Sequence, residues 1–197
     1  MDQTKRKQNT GRLMLLAVVF VCASPLIFSY LSYYVIKPEG RTNYGALIDP
    51  RVHPIPALGT TALDGKSAAL QDFKGKWIML KVGPGDCLEA CKEQLVAIRQ
   101  LRLMTGKEQS RVERVWLVTD DTPLDTVLMR VIDGTHMLRA KPDAVGAWLP
   151  VEQGGNASDH IYLIDPLGNL MMRFPKKPDP AKVRKDMGKL LKASAIG

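Results

Sequence analysis

The feature that most constrains this chain of 197 residues is an uncharged apolar stretch that runs from Leu13 to Ile36. As a helix it is long enough to cross the hydrocarbon core of a bilayer, which is ~30 Å thick, with some tilt. Basic residues precede the stretch and tyrosines gather at its end, as is typical of the two membrane surfaces. We therefore predict a transmembrane anchor over residues 13–36, with a cytoplasmic tail over residues 1–12.

An alternative for the same stretch is a cleaved signal peptide. The apolar part of a signal peptide is usually ~7–15 residues long and ends at a pair of small residues. This stretch is longer, and its tyrosine-rich end offers no such site. A lipoprotein anchored at Cys22 is also disfavoured, because Val21 stands where a small residue is expected. We expect a retained single-pass anchor in a bacterial inner membrane, with the C-terminal domain in the periplasm.

Beyond the anchor, the pattern first indicates a linker and then an α/β domain. Residues 37–56 are proline-rich without an apolar period, which predicts an extended linker. The rest, residues 57–197, alternates short apolar runs with amphipathic segments. Strands are predicted at 77–82, 114–119, 161–164 and 170–174, and helices are predicted to follow Asp86, Pro123 and Asp179. This order predicts a mixed sheet with flanking helices.

The net charge of +8 is concentrated at the two ends of the chain. Nucleic-acid-binding proteins more often spread basic charge over a face with motif or aromatic support, and the sequence offers none, so we expect no nucleic-acid partner. The last helix is predicted to carry its basic residues outside its buried stripe: Lys182, Arg184, Lys185, Lys189 and Lys192. That face is either simply solvated, or it attracts an acidic partner or anionic lipid, and the sequence leaves these alternatives open.

Two cysteines four residues apart, Cys87 and Cys91, follow a predicted strand at the start of a predicted helix. Positions i and i+4 share a helix face, so the two sulfurs can meet one soft metal ion, or pair if the first turn relaxes. A helix N-terminus favours a thiolate, whereas Asp86 and Glu89 oppose it. The alternatives are a structural disulfide and two buried core cysteines, although closing so short a loop stabilises little.

Several motifs together resemble the Sco/SenC family of membrane-anchored, thioredoxin-like proteins. They are the anchor, the LDGK and KGKW turns, a strand ending in Gly, Cys-x3-Cys, VTDDTP and DHIYLIDPLGN, and they cover about residues 58–195. The resemblance implies a thioredoxin-like fold preceded by one transmembrane helix. In that family two cysteines and a distant histidine bind one copper ion, and the resemblance assigns these roles to Cys87, Cys91 and His160.

The resemblance further implies an assembly factor for cytochrome c oxidase, whose partner is an oxidase subunit or another respiratory copper protein. Three hypotheses follow for the site. Copper is held by Cys87, Cys91 and His160 and delivered to the partner, which is the interpretation that we favour. Alternatively, the chain is a thiol–disulfide oxidoreductase in which Cys87 attacks or is attacked and Cys91 resolves the mixed disulfide. In the third hypothesis it is a redox-silent binding module with structural cysteines.

Overall fold

The computed structural model describes residues 3–36 and 43–196 of the chain, which divides into two compact units. In the first unit, helix α1 spans Gln3–Tyr30 and continues as π-helical turns over Leu31–Ile36. Its segment Arg12–Val35 is long and apolar enough, by length and composition, to cross a membrane. Residues 1–2 of the predicted tail and residues 37–42 of the predicted linker lie outside the described residues.

The second unit is built on a seven-stranded mixed sheet. Its strands are β1 (Ala46–Leu47), β2 (Thr61–Ala62), β3 (Trp77–Gly83), β4 (Val112–Val118), β5 (His136–Arg139), β6 (Ile161–Ile164) and β7 (Leu170–Phe174). Their order in the sheet is β1-β7-β6-β3-β4-β5-β2. Strands β3, β4 and β5 run parallel, and every other pairing is antiparallel. The central strand β3 is buried along its whole length, as expected for a strand covered on both faces.

Four helices accompany the sheet: α2 (Glu89–Met104), α3 (Thr126–Val131), α4 (Pro142–Trp148) and α5 (Pro180–Ala193). On one face, Met79 of β3 shares a buried cluster with Ile98 of α2 and Val183 of α5. On the opposite face, Leu80 shares a second cluster with Trp148 of α4. Successive residues of β3 thus point alternately into the two layers, which confirms the predicted α/β architecture.

Residues 43–56 belong to this second unit, so its first residues lie earlier than the predicted start at residue 57. β1 pairs with β7, and the backbone N–H of Leu170 donates to the carbonyl of His53 at 2.8 Å. Ile55 is buried in the core. The prolines of this stretch therefore mark a segment that lies against the sheet edge, where their missing N–H groups are tolerated.

Two further predictions differ from the structure. α3 begins at Thr126, where Asp125 caps it by accepting from the Val127 N–H at 2.8 Å, so the predicted start at Pro123 is wrong. β5 was not predicted at all. Of its four residues only Leu138 is buried, because the strand lies near the sheet edge, and its apolar signal is correspondingly weak.

Candidate redox site

The loop that carries the cysteines leaves the carboxyl end of β3 and is tied to the end of β4. The N–H of Gly85 donates to Oδ1 of Asp120 at 2.8 Å. A Cβ at Gly85 would lie 2.8 Å from the carbonyl oxygen of Thr122, so only glycine allows this close approach. Partial burial acts to raise the pKa of Asp120, but hydrogen bonds from Gly85 and Thr122 outweigh it and lower that pKa. The carboxylate thereby acts as a fixed acceptor that holds the loop.

Cys87 and Cys91 form a disulfide across the first turn of α2, with their Cα atoms 5.3 Å apart. Cys87 is only 4% exposed and packs in a cluster with Trp116, whereas Cys91 is half-buried. The disulfide is one of the alternatives that the spacing left open. Its Cys91 end is the more exposed one, and the roles of the two cysteines towards an incoming thiolate stay a prediction.

The start of α2 differs from the predicted capping box. Leu88 is the N-cap residue, and no side chain accepts a hydrogen bond there, so the predicted cap at Asp86 is wrong. Cys87 is anchored in the core directly before it, and this leaves Asp86 outside the helix. The observed N-cap contributes no charge, but the carboxylate of Glu89 in the first turn still opposes a thiolate at this end of the helix.

A groove of about 480 Å³ borders Cys91. It runs between α2, the 3-10 turn Ala157–Asp159 and the segment that leads from β7 into α5. Gln94 of α2 joins these walls, since its Nε2 donates to the carbonyls of Asp159 at 2.9 Å and Lys176 at 2.7 Å. Lys176 in turn forms an ion pair with Asp159 at 2.8 Å. Hydrogen bonds and an ion pair therefore join the walls of the groove beside Cys91.

Lys81 is a buried cation beneath this groove. It lies on the β3 face that Met79 also uses, is 1% exposed, and its Nζ donates to the carbonyl of Ser158. Burial lowers its pKa to about 8, and the carboxylate of Asp159 acts in the opposite direction. Ser158 and Cys91 line the same groove, so the buried ammonium of Lys81 is hydrogen-bonded to a residue of the groove wall.

His160 follows the same 3-10 turn and is also buried, at 1% exposure. Its Nδ1 lies 2.9 Å from the carbonyl oxygen of Phe174, which can only accept, so Nδ1 carries the proton. In the neutral ring this leaves the lone pair on Nε2, and that buried atom has no hydrogen-bond partner among the described residues. A Cβ placed on Gly155 would lie 3.6 Å from Nε2, so this nitrogen faces the loop before the turn.

The structure brings the two cysteines together but does not gather the predicted ligand set of Cys87, Cys91 and His160. Among the described residues, no group of three or more His, Cys, Asp or Glu side chains is placed to hold a metal ion. The two sulfurs suit a soft metal once the disulfide is reduced, and the lone pair of His160 is of the right kind for a third ligand. The assignment of this ligand set stays a prediction.

Two residues at the site, Lys81 and Gln94, were not singled out from the sequence. Lys81 had a usable signal, since it is the one charged residue in the otherwise apolar run from Trp77 to Gly83. Charged side chains are almost never fully buried unless they have a partner or a function. Gln94 had no such signal, because a glutamine within an amphipathic helix usually faces solvent.

The comparison with family models decides the classification. The model of the family described as transmembrane-like, thioredoxin-like, C-terminal domain matches residues 77–194. The chain belongs to this family. A comparison with curated protein sequences finds no match.

Solved structures with the same fold include Sco proteins. Yeast Sco1 with copper bound has a TM-score of 0.56 at 15% identity, covering 71% of this chain and 96% of that one. A SCO1/SenC family lipoprotein from Bacillus anthracis has a TM-score of 0.53 at 20% identity, covering 74% and 99%. A thiol:disulfide interchange protein from Bacteroides has a TM-score of 0.53 at 18% identity, covering 73% and 91%. These similarities confirm the thioredoxin-like fold and, at the level of the fold, the resemblance to the Sco/SenC family.

Proposed function

We propose that the chain is a membrane-anchored, Sco-like protein whose Cys87–Cys91 pair exchanges between disulfide and dithiol with cysteines of a partner protein. The observation that carries the proposal is the position of the disulfide: Cys91 is half-buried and borders the 480 Å³ groove, while Cys87 is 4% exposed and lines only a smaller pocket of about 260 Å³. A disulfide that served only stability would gain little from closing so short a loop. Access to one sulfur from a groove is instead what an exchange reaction requires.

The geometry supports one order of events for reduction of the pair. A partner thiolate attacks Sγ of Cys91, a mixed disulfide forms, and Cys87 leaves as a thiolate. That thiolate lies just before the N-terminus of α2, whose free N–H groups offset part of the cost of burying its charge. A second partner thiolate then attacks its own sulfur in the mixed disulfide and releases Cys91. The partner's dithiol is thereby oxidised to a disulfide and the Cys87–Cys91 pair is reduced, and the reverse sequence reduces a partner disulfide.

We further propose that α1 holds the protein in a bacterial inner membrane with the redox domain in the periplasm. The basic residues before the apolar stretch and the tyrosines at its end support this orientation. The partner that best fits a Sco-like fold is a cytochrome c oxidase subunit, or another respiratory copper protein. A cysteine pair at a copper site must be reduced before it can bind the metal, and the exchange reaction would supply that reduction.

Copper binding is the second candidate function, and it is favoured by the buried, unpartnered Nε2 of His160. Thiolates of Cys87 and Cys91 in the reduced protein would supply two soft ligands, and His160 would supply a third after the turn before β6 rearranges. Copper would then be cargo that the protein passes to its partner. The fold of the copper-bound yeast neighbour is compatible with this role.

Trapping of the mixed disulfide tests the exchange hypothesis. In a Cys22→Ser background, the full chain is prepared as Cys87→Ser and, separately, as Cys91→Ser, and each is mixed with a small peptide disulfide. We expect the peptide to attach at least tenfold faster to the remaining Cys91 than to the remaining Cys87, as the accessible sulfur reacts first. Equal and slow labelling of both variants, at the rate of a buried structural thiol, would contradict the proposal.

A copper(I) titration against a competing chelator separates the two functions. The reduced full chain, His160→Ala and Cys87→Ser/Cys91→Ser are compared in the same detergent. If the protein carries copper, it binds one ion, His160→Ala weakens binding at least tenfold, and the double cysteine variant abolishes it. The exchange rate of His160→Ala should stay unchanged, because Nε2 has no hydrogen-bond partner among the described residues, the cysteine loop included. If the copper affinity of His160→Ala equals that of the parent, His160 is not a ligand.

A further inference from the structure

Helix α5 carries a stripe of four lysines opposite its buried face. At 100° per residue, Lys182, Lys185, Lys189 and Lys192 fall within an arc of about 80°. All four are exposed, while Val183 and the other apolar residues of the helix face the sheet. We call these four residues the lysine stripe.

The lysine stripe has little negative charge near it on its own helix. The one acidic residue within α5 is Asp186, which is 2% exposed and turned toward the domain, where its Oδ2 accepts from the N–H groups of Tyr44 and Gly45. Lys182 and Lys189 lie near the carboxylates of Asp179 and Asp186, at 3.9 and 3.5 Å.

Lys185 and Lys192 have no carboxylate within 4 Å among the described residues, and neither side chain has another recorded polar contact there. The outer surface of α5 is therefore cationic, and part of its charge is left without an internal partner. Such a surface complements a negatively charged one and is attracted to it over about one Debye length.

The same helix receives the chain that comes from α1. Tyr44 and Gly45 bind Asp186 at 2.6 and 3.0 Å, and the Tyr44 ring lies under Nζ of Lys182, 5.3 Å from its centroid. Residues 37–42 separate this point from the end of the apolar helix at Ile36. Six residues and their flanking peptide bonds extend to roughly 25 Å at most. The chain between Ile36 and Asn43 therefore spans at most that distance.

We propose that the lysine stripe binds the anionic headgroups of the membrane that holds α1. The proposal rests on the membrane anchor of the proposed function, and it adds an interaction surface that neither the redox pair nor the copper hypothesis uses. Each lysine near an anionic surface contributes a modest attraction. The short chain between Ile36 and Asn43 makes that contact intramolecular, so weak individual contacts are enough.

A fluorescence transfer experiment on the full chain tests this docking. In a Cys22→Ser background with the Cys87–Cys91 disulfide intact, Ala181→Cys carries a donor dye beside the stripe, and the vesicles carry a headgroup acceptor dye. Transfer is compared in vesicles of phosphatidylcholine alone and with 30% phosphatidylglycerol added. We expect higher transfer with the anionic lipid, and a loss of that difference in 0.5 M NaCl.

Matched charge variants identify the surface. Lys185→Gln/Lys192→Gln should lower the ratio of docked to undocked domain by roughly 25-fold, that is, about fivefold per lysine. Arg184→Gln/Lys141→Gln removes the same net charge but leaves the stripe intact, since Arg184 lies about 80° from Lys192, the nearest member of the stripe, and Lys141 is the N-cap residue of α4 on the other face of the sheet. It should change the ratio much less. An equal fall in both pairs, or equal transfer in both lipid mixtures, would overturn the proposal.

Flotation with neutral vesicles distinguishes a failed anchor from failed docking. A chain that does not float with phosphatidylcholine vesicles has no membrane anchor, and both the anchor and the docking proposal fall. A chain that floats but gives lipid-independent transfer keeps the anchor and loses the docking surface. The exchange activity of Cys87 and Cys91 is expected to be the same in all charge variants, so it reports separately on the redox function.

Discussion

Two of the charged side chains that the domain buries have opposite surroundings, Asp186 in α5 and Lys81 in β3. Asp186 is 2% exposed, accepts from two backbone N–H groups and lies 3.5 Å from the ammonium of Lys189. Lys81 is 1% exposed, and the one hydrogen bond that it donates among the described residues goes to a neutral carbonyl, that of Ser158. A buried charge with ionic and hydrogen-bonded partners stabilises the fold, whereas a buried charge with a single neutral partner costs stability.

The difference contrasts the contact that fixes the beginning of the domain with the surroundings of the cysteine groove. The carboxylate of Asp186 fixes the beginning of the domain to its last helix. Around the cysteine groove, in contrast, Lys81 is under-partnered, and Oε1 of Gln94 and Nε2 of His160 have no partner among the described residues. Buried polar atoms without a partner also occur elsewhere among the described residues, for example in Arg114 and Trp148, so it is the position beside the disulfide that makes Gln94 notable.

Removal of the Asp186 carboxylate should have the largest effect on stability. Asp186→Ala leaves the half-buried N–H of Tyr44 and the buried N–H of Gly45 without an acceptor, and we expect the free energy of unfolding to fall by roughly 3–5 kcal/mol. Asp186→Asn is the matched control: its amide oxygen can still accept from both groups, so it should lose much less. Urea denaturation measures both variants. If the free energy of unfolding of Asp186→Ala falls by less than about 1 kcal/mol, the carboxylate does not fix the beginning of the domain to α5.

Replacement of Lys81 should act in the opposite direction. The pKa of its ammonium falls from 10.5 to about 8 on folding, because burial disfavours the charge. Between these values the unfolded chain holds a proton that the folded chain has lost, so the free energy of unfolding rises with pH across that window. Below pH 8 the lysine therefore destabilises the fold, by about 3 kcal/mol at full effect.

Lys81→Met removes both the charge and its pH dependence. We expect the variant to be more stable than the parent at pH 7, and the difference between the two to shrink as the pH is raised from 8 to 10. Denaturation curves at several pH values measure this difference, in which the titrations common to both proteins cancel. A variant that is less stable at pH 7, with an unchanged pH profile, would mean that Lys81 is well solvated or well paired in the folded protein.

The smallest effect is expected at Gln94, which joins the walls of the groove. Gln94→Met removes its two hydrogen bonds to backbone carbonyls but also removes the unpartnered Oε1, so we expect a loss of only about 1 kcal/mol. Glu93→Met, at the neighbouring exposed position, should be close to neutral. If Gln94→Met lowers the free energy of unfolding by more than about 3 kcal/mol, the hydrogen bonds of Gln94 contribute as much stability as the contacts of Asp186.

Most of the fold could be predicted because its central elements carry strong local patterns. The apolar runs of β3, β4 and β6 are buried on both faces, and α5 begins at Pro180 after the cap Asp179, as predicted. β5 and the stretch 43–56 could not be predicted, since their places depend on pairing at the sheet edges rather than on local sequence. Long-range pairing of short strands leaves little periodicity to detect.

The site was predicted less completely. The spacing of Cys87 and Cys91 indicated a pair that can meet, and the structure contains that disulfide. Which sulfur is accessible could not be predicted, because it depends on how Cys87 packs against Trp116 from another strand. The role of Gln94 depends on carbonyls that lie 65 and 82 residues away in the chain. Contacts between residues so far apart in the chain cannot be predicted from local sequence patterns.

The reduction potential of the Cys87–Cys91 pair tests the central claim most directly. The full chain, with Cys22→Ser, is equilibrated in detergent with defined thiol–disulfide buffers, and the fraction of reduced pair is read by alkylation and mass spectrometry. A pair that exchanges with a partner is predicted to have a potential above about −300 mV, within reach of biological dithiols. A potential well below about −300 mV would identify a structural disulfide and would contradict the proposed function.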